Sequence, residues 1–468
     1  MTESLSELKY IVFFATLLIG VPLGYFSSLK YPIVERVVFF FMIFFTVRME
    51  DINFVSRETL RLTSRGFEIG MVDIATLIIF FLVMKRRNQY RIQIPPGSWI
   101  YFLYFLFSAV SIVNSSIPLY SYFELWKMLR MYMYFYVVYN YINRFEQFND
   151  ILWSIALITI YVFLEVMDQK YVQGRFQSYG PFPHQNSLVM YSIIIGAILF
   201  AYLLNKKDVS NIRFSFWILM FAMVSVNVIS TLSRAGLVLY AFSTVTVLGL
   251  SFIWGFSTKK ILITIVLFIV SMAILAKAWN SITERFETAP AASADVRKML
   301  ATAAINMAKD KPLGIGLNNF GVKINPPWPY GSHIPMNNPE DETEQNGLVE
   351  TIYLMIAAEC GWHSLGIFLL FIFFYYFLNL RNMLRYRGTD YQFLCIGLSG
   401  GLLGIYLEST MEWVLKQTNN FYQLMLMFAL IAVMRKLDIR FGRLNLQIPR
   451  NVTTKERISQ HRILNHAG

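Results

Sequence analysis

The sequence is poor in charged residues and almost free of cysteine. Only 15% of its 468 residues are Asp, Glu, Lys or Arg, whereas a soluble domain carries about 25%. The two cysteines, Cys360 and Cys395, lie in apolar runs without metal-ligand spacing, so we interpret them as structural thiols. The chain also lacks a P-loop, a dinucleotide-binding fingerprint, zinc-ligand spacing and a serine nucleophile elbow. These absences argue against the common soluble nucleotide-, zinc- and serine-dependent enzymes.

Long apolar runs dominate what remains. Hydrophobic residues make up 56% of the chain and aromatic residues 16%. Most runs approach the roughly 20 residues that a helix needs to cross a bilayer. The predicted fold class is therefore an all-α polytopic membrane protein with about 12 spans. The candidate spans are 10–26, 33–47, 68–84, 98–114, 120–142, 148–167, 187–205, 214–229, 235–255, 260–278, 361–380, 391–409 and 420–434.

The N-terminal region leaves the number of spans open. Residues 1–9 have no positively charged segment and no cleavage site, so we interpret the first run as a retained span. If 33–47 crosses the membrane, there are 13 spans and an outside N-terminus; if it lies at the interface, there are 12 and both ends are inside. Its short apolar core favours 12. Segment 48–66, with four arginines, predicts an amphipathic surface helix.

Basic residues beside the spans predict the orientation. The net charge of +12 is explained better by cytoplasmic loops than by a nucleic-acid partner. The basic loops at 85–91, 206–207, 259–260 and 381–387, and the basic tail, then face the cytoplasm. The chain divides into N-terminal spans (1–278), a large outer loop (279–360), C-terminal spans (361–436) and a cytoplasmic tail (437–468). The other outward loops are 115–119, 168–186, 230–234 and 410–419.

The large outer loop carries internal order. Ala294 to Lys309 predicts a helix, 310–320 a glycine-rich turn, and Glu350 to Glu359 a helix that re-enters the apolar region. Loops of this length are usually functional or disordered. We therefore interpret the loop as the working surface, with the spans as its scaffold.

Two short outer loops contain ionisable residues next to apolar runs, where such residues are functional candidates. Arg175, His184 and Asn186 lie in a loop with two prolines, which predicts a polar pocket or an ordinary turn. Arg234 lies between two apolar runs among small residues. Its guanidinium suits phosphate, although an arginine that snorkels from a span end explains it too.

The large loop supplies the next candidates. Arg297 and Lys298 lie on its predicted helix, either facing a ligand or on a solvated helix face. Glu350, with Tyr353 one turn later, is placed to accept a proton from a substrate hydroxyl; the alternative is an acid favoured by the helix dipole. The acid cluster at 340–342 is a weak candidate for binding cations. A metal-independent site built on arginines is more economical, and no cofactor is predicted.

The last candidates are Glu408, Glu412 and Lys416. Their four-residue spacing predicts one shared helix face. On that face they either contact the other outer groups, as substrate-binding residues, or pair among themselves.

In this order the motifs resemble the O-antigen ligase and polymerase superfamily of bacterial membrane glycosyltransferases. The resemblance covers roughly residues 170–435. It rests on Gly-Pro-Phe-Pro-His-Gln-Asn before a span, Ser-Arg-Ala-Gly at 233–236, Arg297 followed by Lys-Asp-Lys-Pro-Leu-Gly-Ile-Gly at 309–316, and Glu-Thr-Ile-Tyr-Leu at 350–354. The family usually has histidine where this chain has Glu350, and its usual Gly-x-x-Gly is altered to Gly361-Trp-His-Ser-Leu-Gly366.

The resemblance implies a fold of the C-type glycosyltransferase kind in the bacterial inner membrane, with a periplasmic, metal-independent, inverting active site. It implies an undecaprenyl-diphosphate-linked oligosaccharide donor, a glycan or lipid acceptor, and polysaccharide-assembly proteins as candidate partners. Arg234 and Arg297 would hold the donor diphosphate. Glu350 would orient or deprotonate the acceptor. Arg175, His184 and Asn186 would line the sugar pocket.

Three alternatives remain open at this stage. The acceptor is another lipid-linked glycan in a polymerase and a lipid A core in a ligase; the histidine departure favours the polymerase. A transporter or flippase fits the polytopic pattern, but such proteins often show internal repeats, and none is convincing here. A non-catalytic assembly component would only bind glycan through the outer loop.

Overall fold

The structure is a computed structural model. Helices make up 75% of the residues that the structure describes, as the apolar runs predict. The acid cluster at 340–342 and the tail from residue 442 onwards fall outside the described part. The residues described are 10–56, 62–207, 209–287, 291–335 and 347–441.

Each predicted span coincides with a helix. The α-helices of the described part are α1 (Tyr10–Lys30, with a π-helical turn at Thr16–Gly20), α2 (Pro32–Phe44), α3 (Met71–Lys85), α4 (Ser98–Val110), α5 (Pro118–Tyr141), α6 (Gln147–Met167), α7 (Gln185–Asn205), α8 (Asn211–Ser230), α9 (Arg234–Ile253), α10 (Thr258–Glu287), α11 (Ala291–Asp310), α12 (Phe320–Lys323), α13 (Ile352–Arg385), α14 (Gln392–Glu408) and α15 (Thr418–Phe441).

Six of the described helices are long and apolar enough to cross a membrane: α1, α6, α7, α8, α9 and α13. The protein is thus a helical, multi-pass membrane protein. The total of 12 or 13 spans stays a prediction. Helix α2 has 13 residues, which is shorter than the roughly 20 needed for a full crossing.

Helix α7 forms the centre of the bundle, and its most apolar stretch is entirely buried. Helix α14 lies between α7 and α9 because its glycines allow close approach. A Cβ atom at Gly397 would lie 2.6 Å from the Ile198 Cα, and one at Gly400 would lie 2.5 Å from a Val247 methyl group. Small residues at such crossings replace the hydrophobic driving force that lipid cannot supply.

The chain between α10 and α13 folds back onto the bundle. Helix α11 contains the predicted segment 294–309 and packs against the start of α13. The glycine-rich turn then hydrogen-bonds to α13, with Ile315 N donating to Ala358 O (2.9 Å) and Gly316 N to Glu359 O (3.1 Å). The apolar core of this region consists of Leu300, Ala303, Ala304, Met307, Ile315, Phe320, Ile324, Ile334, Leu348, Val349, Met355 and Ala358.

Gly361 divides α13 into a short re-entrant part and a long span. Its φ of +85° and ψ of 163° interrupt the helix. A Cβ atom there would lie 2.2 Å from the Pro312 carbonyl oxygen. Gly314 faces it from the turn with a φ of +83°, and its Cβ would lie 2.1 Å from the Glu359 carbonyl oxygen. The turn and the kink therefore fit together only as glycines.

The predicted surface helix at 48–66 is wrong. The described residues form an antiparallel hairpin, β1 (Asp51–Ser56) and β2 (Gly66–Gly70), while 57–61 lie outside the described part. Apolar residues alternate with other residues in β2 and in the first four residues of β1, which is the period of a strand. Helix α5 also holds the hairpin in place: Trp126 Nε1 donates to Glu68 O (2.7 Å), and Arg130 lies 3.5 Å from the Glu68 carboxylate.

We expect Gly361→Ala to destabilise the protein by about 2 kcal/mol or more, because alanine at a positive φ with an extended ψ costs about 1–3 kcal/mol before the clash with Pro312 is counted. Gly366→Ala is the matched control in the same helix, since nothing lies within 4 Å of its added Cβ; alanine there should stabilise by up to about 1 kcal/mol. Thermal unfolding in detergent measures both. Equal melting temperatures for the two variants would contradict the proposed kink.

Candidate functional site

A polar cavity of about 770 Å³ opens where six segments of the chain meet. They are the 62–65 segment, the loop before α7, the start of α9, the start of α11, residues 347–350 and residues 412–417. Six of the eleven predicted site residues line this cavity: His184, Asn186, Arg234, Arg297, Glu350 and Glu412.

Four of these side chains form a continuous polar chain. Arg297 Nε makes a close ion pair with Glu350 Oε2. Its Nη2 lies 3.7 Å from Glu412 Oε1, and the same oxygen accepts a short hydrogen bond from Asn186 Nδ2. Arg297, from the outer loop, is thereby held between two carboxylates from different parts of the chain.

The carboxylates of this chain are less acidic than usual. Burial raises the pKa of Glu350, and Arg297 opposes the rise only in part. Burial also raises the pKa of Glu412, to about 8, and the nearby charge of Glu350 adds to the effect. Glu412 is therefore largely protonated at neutral pH.

Arg234 is the first residue of α9. Ser233 caps this helix, with its Oγ accepting from Gly236 N at 3.3 Å. Gly236 brings the helix end against α7, since a Cβ atom there would lie 2.6 Å from a Val189 methyl group. The Ser-Arg-Ala-Gly motif thus presents an arginine at a helix N-terminus, where the helix dipole also favours anions.

His184 caps the N-terminus of α7. Its Nδ1 accepts from Asn186 N at 3.3 Å. Burial lowers its pKa, so a neutral imidazole lines the cavity. The capping bond fixes the ring and places Asn186 toward Glu412.

Two predicted residues near the cavity point elsewhere. Arg175 stacks on Tyr179, with its guanidinium carbon 4.8 Å from the ring centroid. Lys298 has a side chain that is 81% exposed, and it lies 3.9 Å from Asp295. Neither side chain lines the cavity.

Three predicted site residues have side chains that contact the interior of the protein instead of the cavity: Tyr353, Glu408 and Lys416. The Tyr353 hydroxyl donates to Tyr406 O (2.8 Å). Glu408 is 1% exposed at the end of α14. Lys416 is buried and pairs with Glu359 at 2.5 Å. None of the three lines the cavity.

The prediction that Glu408, Glu412 and Lys416 share a helix face is wrong. Helix α14 ends at Glu408, and a separate 3₁₀ turn follows at Val414–Lys416. Glu412 N still donates to Glu408 O (2.9 Å), but residues 412 and 413 have no regular structure and interrupt the helix. As a result, Glu412 reaches the cavity and Lys416 points into the core.

The sequence did not single out several residues of the lining. Gln417 lines the cavity and binds Ser187 through a short hydrogen bond, and Gln177 lines it from the loop before α7. Arg65 also lines it, although the sequence analysis placed it on an amphipathic surface helix. The only available signal for Arg65 was the alternation of the flanking strands, which favours a hairpin over a helix.

Residues 218–374 match the family model described as O-antigen ligase. Over these residues the chain is similar to the O-antigen ligase and polymerase family. No curated protein matches the chain. Members of this family are glycosyltransferase-like enzymes of polysaccharide biosynthesis, which fits a helical membrane protein with a polar cavity beside its large loop.

The O-antigen ligase domain contributes only part of the cavity. Arg234, Arg297 and Glu350 lie within the matched residues, whereas His184 and Glu412 lie outside them. The cavity is therefore completed by segments that precede and follow the matched residues in the chain.

We expect Glu412→Gln to flatten the pH dependence of stability. The folded state holds the Glu412 proton up to about pH 8, whereas the unfolded state releases it near the ordinary carboxyl pKa of about 4.3. Native stability should therefore fall as pH rises through this window, while the variant has no proton to lose. Each pKa unit corresponds to about 1.4 kcal/mol, so the two should diverge by about 1 kcal/mol or more.

Melting temperatures from about pH 5 to pH 8 test this expectation. Asp295→Asn is the control, because the Asp295 side chain is 64% exposed and its curve should follow the native one. Parallel curves for Glu412→Gln and the native protein would show that the proton on Glu412 is not coupled to folding.

Proposed function

We propose that this protein is an inverting glycosyltransferase that uses an undecaprenyl-diphosphate-linked glycan at the periplasmic face of the bacterial inner membrane. The observation that carries the proposal is the meeting of Arg234, Arg297 and Glu350 at one cavity. Two cations suit a departing diphosphate, and a carboxylate suits an attacking hydroxyl. The family match favours this reaction type.

The diphosphate is the group on which negative charge develops. As the bond between the anomeric carbon and the phosphate oxygen breaks, the charge passes to that oxygen, and donors already in place stabilise it. Arg234 offers a guanidinium fork together with the dipole of α9. Arg297 offers a second fork from α11. In this proposal the two arginines neutralise the leaving group, and no step requires a metal ion.

Glu350 acts as the base in this proposal. The acceptor hydroxyl oxygen attacks the anomeric carbon from the face opposite the diphosphate, so the configuration inverts. Its proton passes to the Glu350 carboxylate, and the lipid diphosphate leaves as an anion. The raised pKa of Glu350 makes it a stronger base than an exposed glutamate, which compensates in part for the absence of the histidine usual at this place.

The ion pair between Arg297 and Glu350 suggests how donor binding prepares the base. Without substrate, Arg297 is engaged by Glu350 and lies near Glu412. A diphosphate carries more charge than either carboxylate and competes for the same guanidinium. Once Arg297 turns to the donor, Glu350 is released toward the acceptor. Base activation then follows donor binding.

The remaining lining residues suit sugar hydroxyls. His184, Asn186 and Glu412 present a neutral imidazole, an amide and a largely protonated carboxyl group. We favour a lipid-linked glycan as acceptor, which makes the protein a polymerase, over a lipid A core.

With the cavity at the periplasmic face, the basic loops and the C-terminus face the cytoplasm. Polysaccharide-assembly proteins are the candidate partners of the protein.

We expect Arg234→Gln and Arg297→Gln each to lower kcat/KM by about 10²–10³, the loss typical of removing one preorganised donor to a developing anion. Release of undecaprenyl diphosphate from a purified lipid-linked oligosaccharide, in nanodiscs and without added divalent metal, measures this loss, and product length separates polymerase from ligase. Arg36→Gln is the control, because Arg36 lines a different cavity. Native activity in Arg234→Gln would sink the assignment; no release with the correct donor and acceptor would favour a transporter.

We expect kcat/KM to fall as pH decreases through the pKa of Glu350, because the base must be ionised, and this limb should lie above the ordinary carboxyl pKa. Glu350→His should move the limb to higher pH, toward the ordinary histidine value of about 6.5. Glu350→Gln should lose about 10²–10⁴ in rate. A pH profile of turnover tests all three. Full activity in Glu350→Gln would move the base elsewhere, with His184 the next candidate.

A further inference from the structure

Arg65 is a third arginine of the cavity. It reaches the lining from the segment that precedes β2, far in sequence from Arg234 and Arg297. Its residue is exposed, whereas the three residues before it, Leu62 to Ser64, are buried. A charged side chain is thus presented to the cavity at the end of a buried segment.

Hydrogen bonds to one buried asparagine fix this segment. Asn318, 1% exposed, accepts from Thr63 N at 2.9 Å. Its amide nitrogen donates to Ser64 O at 2.8 Å and to Tyr120 O at 2.9 Å. Asn318 has a left-handed φ of 58°, so its backbone is strained to make these contacts. The backbone before Arg65 is therefore as rigid as the core.

A second layer of buried charge supports the same segment. Thr63 Oγ1 donates to Glu124 Oε2 (3.0 Å), and Lys127 Nζ donates to Thr63 O (3.2 Å). Glu124 and Lys127 pair with each other at 2.7 Å. Ordering the segment in this way lowers the entropy that Arg65 would lose on binding a ligand.

Among the residues that the structure describes, none forms a hydrogen bond or an ion pair with Arg65. The contrast is Arg297, which is engaged by Glu350 and Glu412. A rigidly mounted guanidinium with its five donors unused faces a cavity large enough for a substrate.

The charge balance of the cavity favours an anion beside Arg65. Three arginines line it, against the carboxylates Glu350 and Glu412. Glu412 is largely protonated at neutral pH because its pKa is about 8. Among the lining residues that the structure describes, positive charge exceeds negative charge even when both carboxyl groups are counted as ionised, and the excess grows with Glu412 protonated. A phosphate or diphosphate group carries charge of the opposite sign.

We propose that Arg65 is a substrate-binding residue that holds a phosphate or diphosphate group of a lipid-linked substrate. The inference rests on the proposed function and adds a third arginine to the two assigned to the donor. The group has two sources with the same chemistry: the diphosphate of the donor lipid, and that of the acceptor lipid if the protein is a polymerase.

The test measures binding and turnover separately, with the full chain in nanodiscs of neutral lipid. Binding of inorganic diphosphate and of undecaprenyl diphosphate is measured by calorimetry for the native protein, Arg65→Gln and Arg65→Lys, with Arg36→Gln as the control. Since a hydrogen bond to a charged group contributes about 1.5–3 kcal/mol, Arg65→Gln should weaken binding about tenfold or more. Arg65→Lys should retain part of it, because lysine keeps the charge without the fork.

Turnover then identifies the source. A raised KM for the donor alone assigns Arg65 to the donor diphosphate, and a raised KM for the acceptor alone assigns it to the acceptor; both results support the inference. Native melting temperatures for the Arg65 variants confirm that they are folded. Native binding and native KM for both substrates in Arg65→Gln would overturn it. If diphosphate binds through Arg65 but no glycan transfer occurs, the anion site stands and the proposed function fails.

Discussion

The cavity depends on a buried ion pair between Lys416 and Glu359. The two charged atoms lie 2.5 Å apart, and both residues are at most 5% exposed. Glu124 and Lys127 extend the pair into a balanced cluster, with Glu124 3.9 Å from Lys416. Removing one member would leave an unpaired buried charge, at a cost of about 3–5 kcal/mol. The cluster therefore locks the 3₁₀ turn, the re-entrant helix and α5 in one arrangement.

The positions of the cavity residues follow from that arrangement. Glu359 ends the re-entrant part of α13, nine residues beyond Glu350, so holding Glu359 also fixes where the re-entrant part starts. Lys416 lies between Glu412 and Gln417 in the chain. Its ion pair with Glu359 directs the Lys416 side chain into the core, while Glu412 and Gln417 line the cavity. Buried charges that do not touch the substrate thus set the geometry of those that line its cavity. The polar residues of this region therefore form two groups: buried charges that pair with each other, and residues that line the cavity.

Apolar runs predicted the helices well, because membrane burial leaves the backbone few alternatives to the helix. Polar motifs predicted much of the cavity, since Arg234, Arg297 and Glu350 stand out against apolar neighbours. The errors arose where local spacing competed with tertiary contacts. The four-residue spacing suggested a helix that continues through Glu412. The helix instead ends at Glu408, and Lys416 in the following turn pairs with Glu359. In segment 48–66 we gave the arginines more weight than the strand alternation around them. The hairpin found there is held by ion pairs from Arg130 on α5 to Asp51 and Glu68.

The glutamate at position 350 changes the charge requirement of the site. Histidine as base is neutral before it accepts a proton, whereas ionised glutamate adds a negative charge to the cavity that receives the diphosphate. Like charges oppose each other more strongly where water is excluded. Two features of the cavity reduce that repulsion: Arg297 lies in the same cavity, beside Glu350 before the donor binds, and the second carboxyl group, Glu412, stays largely protonated. A chain that uses a carboxylate here also needs more positive charge than one with histidine, and Arg65, at the end of a segment fixed by Asn318, is placed to supply it.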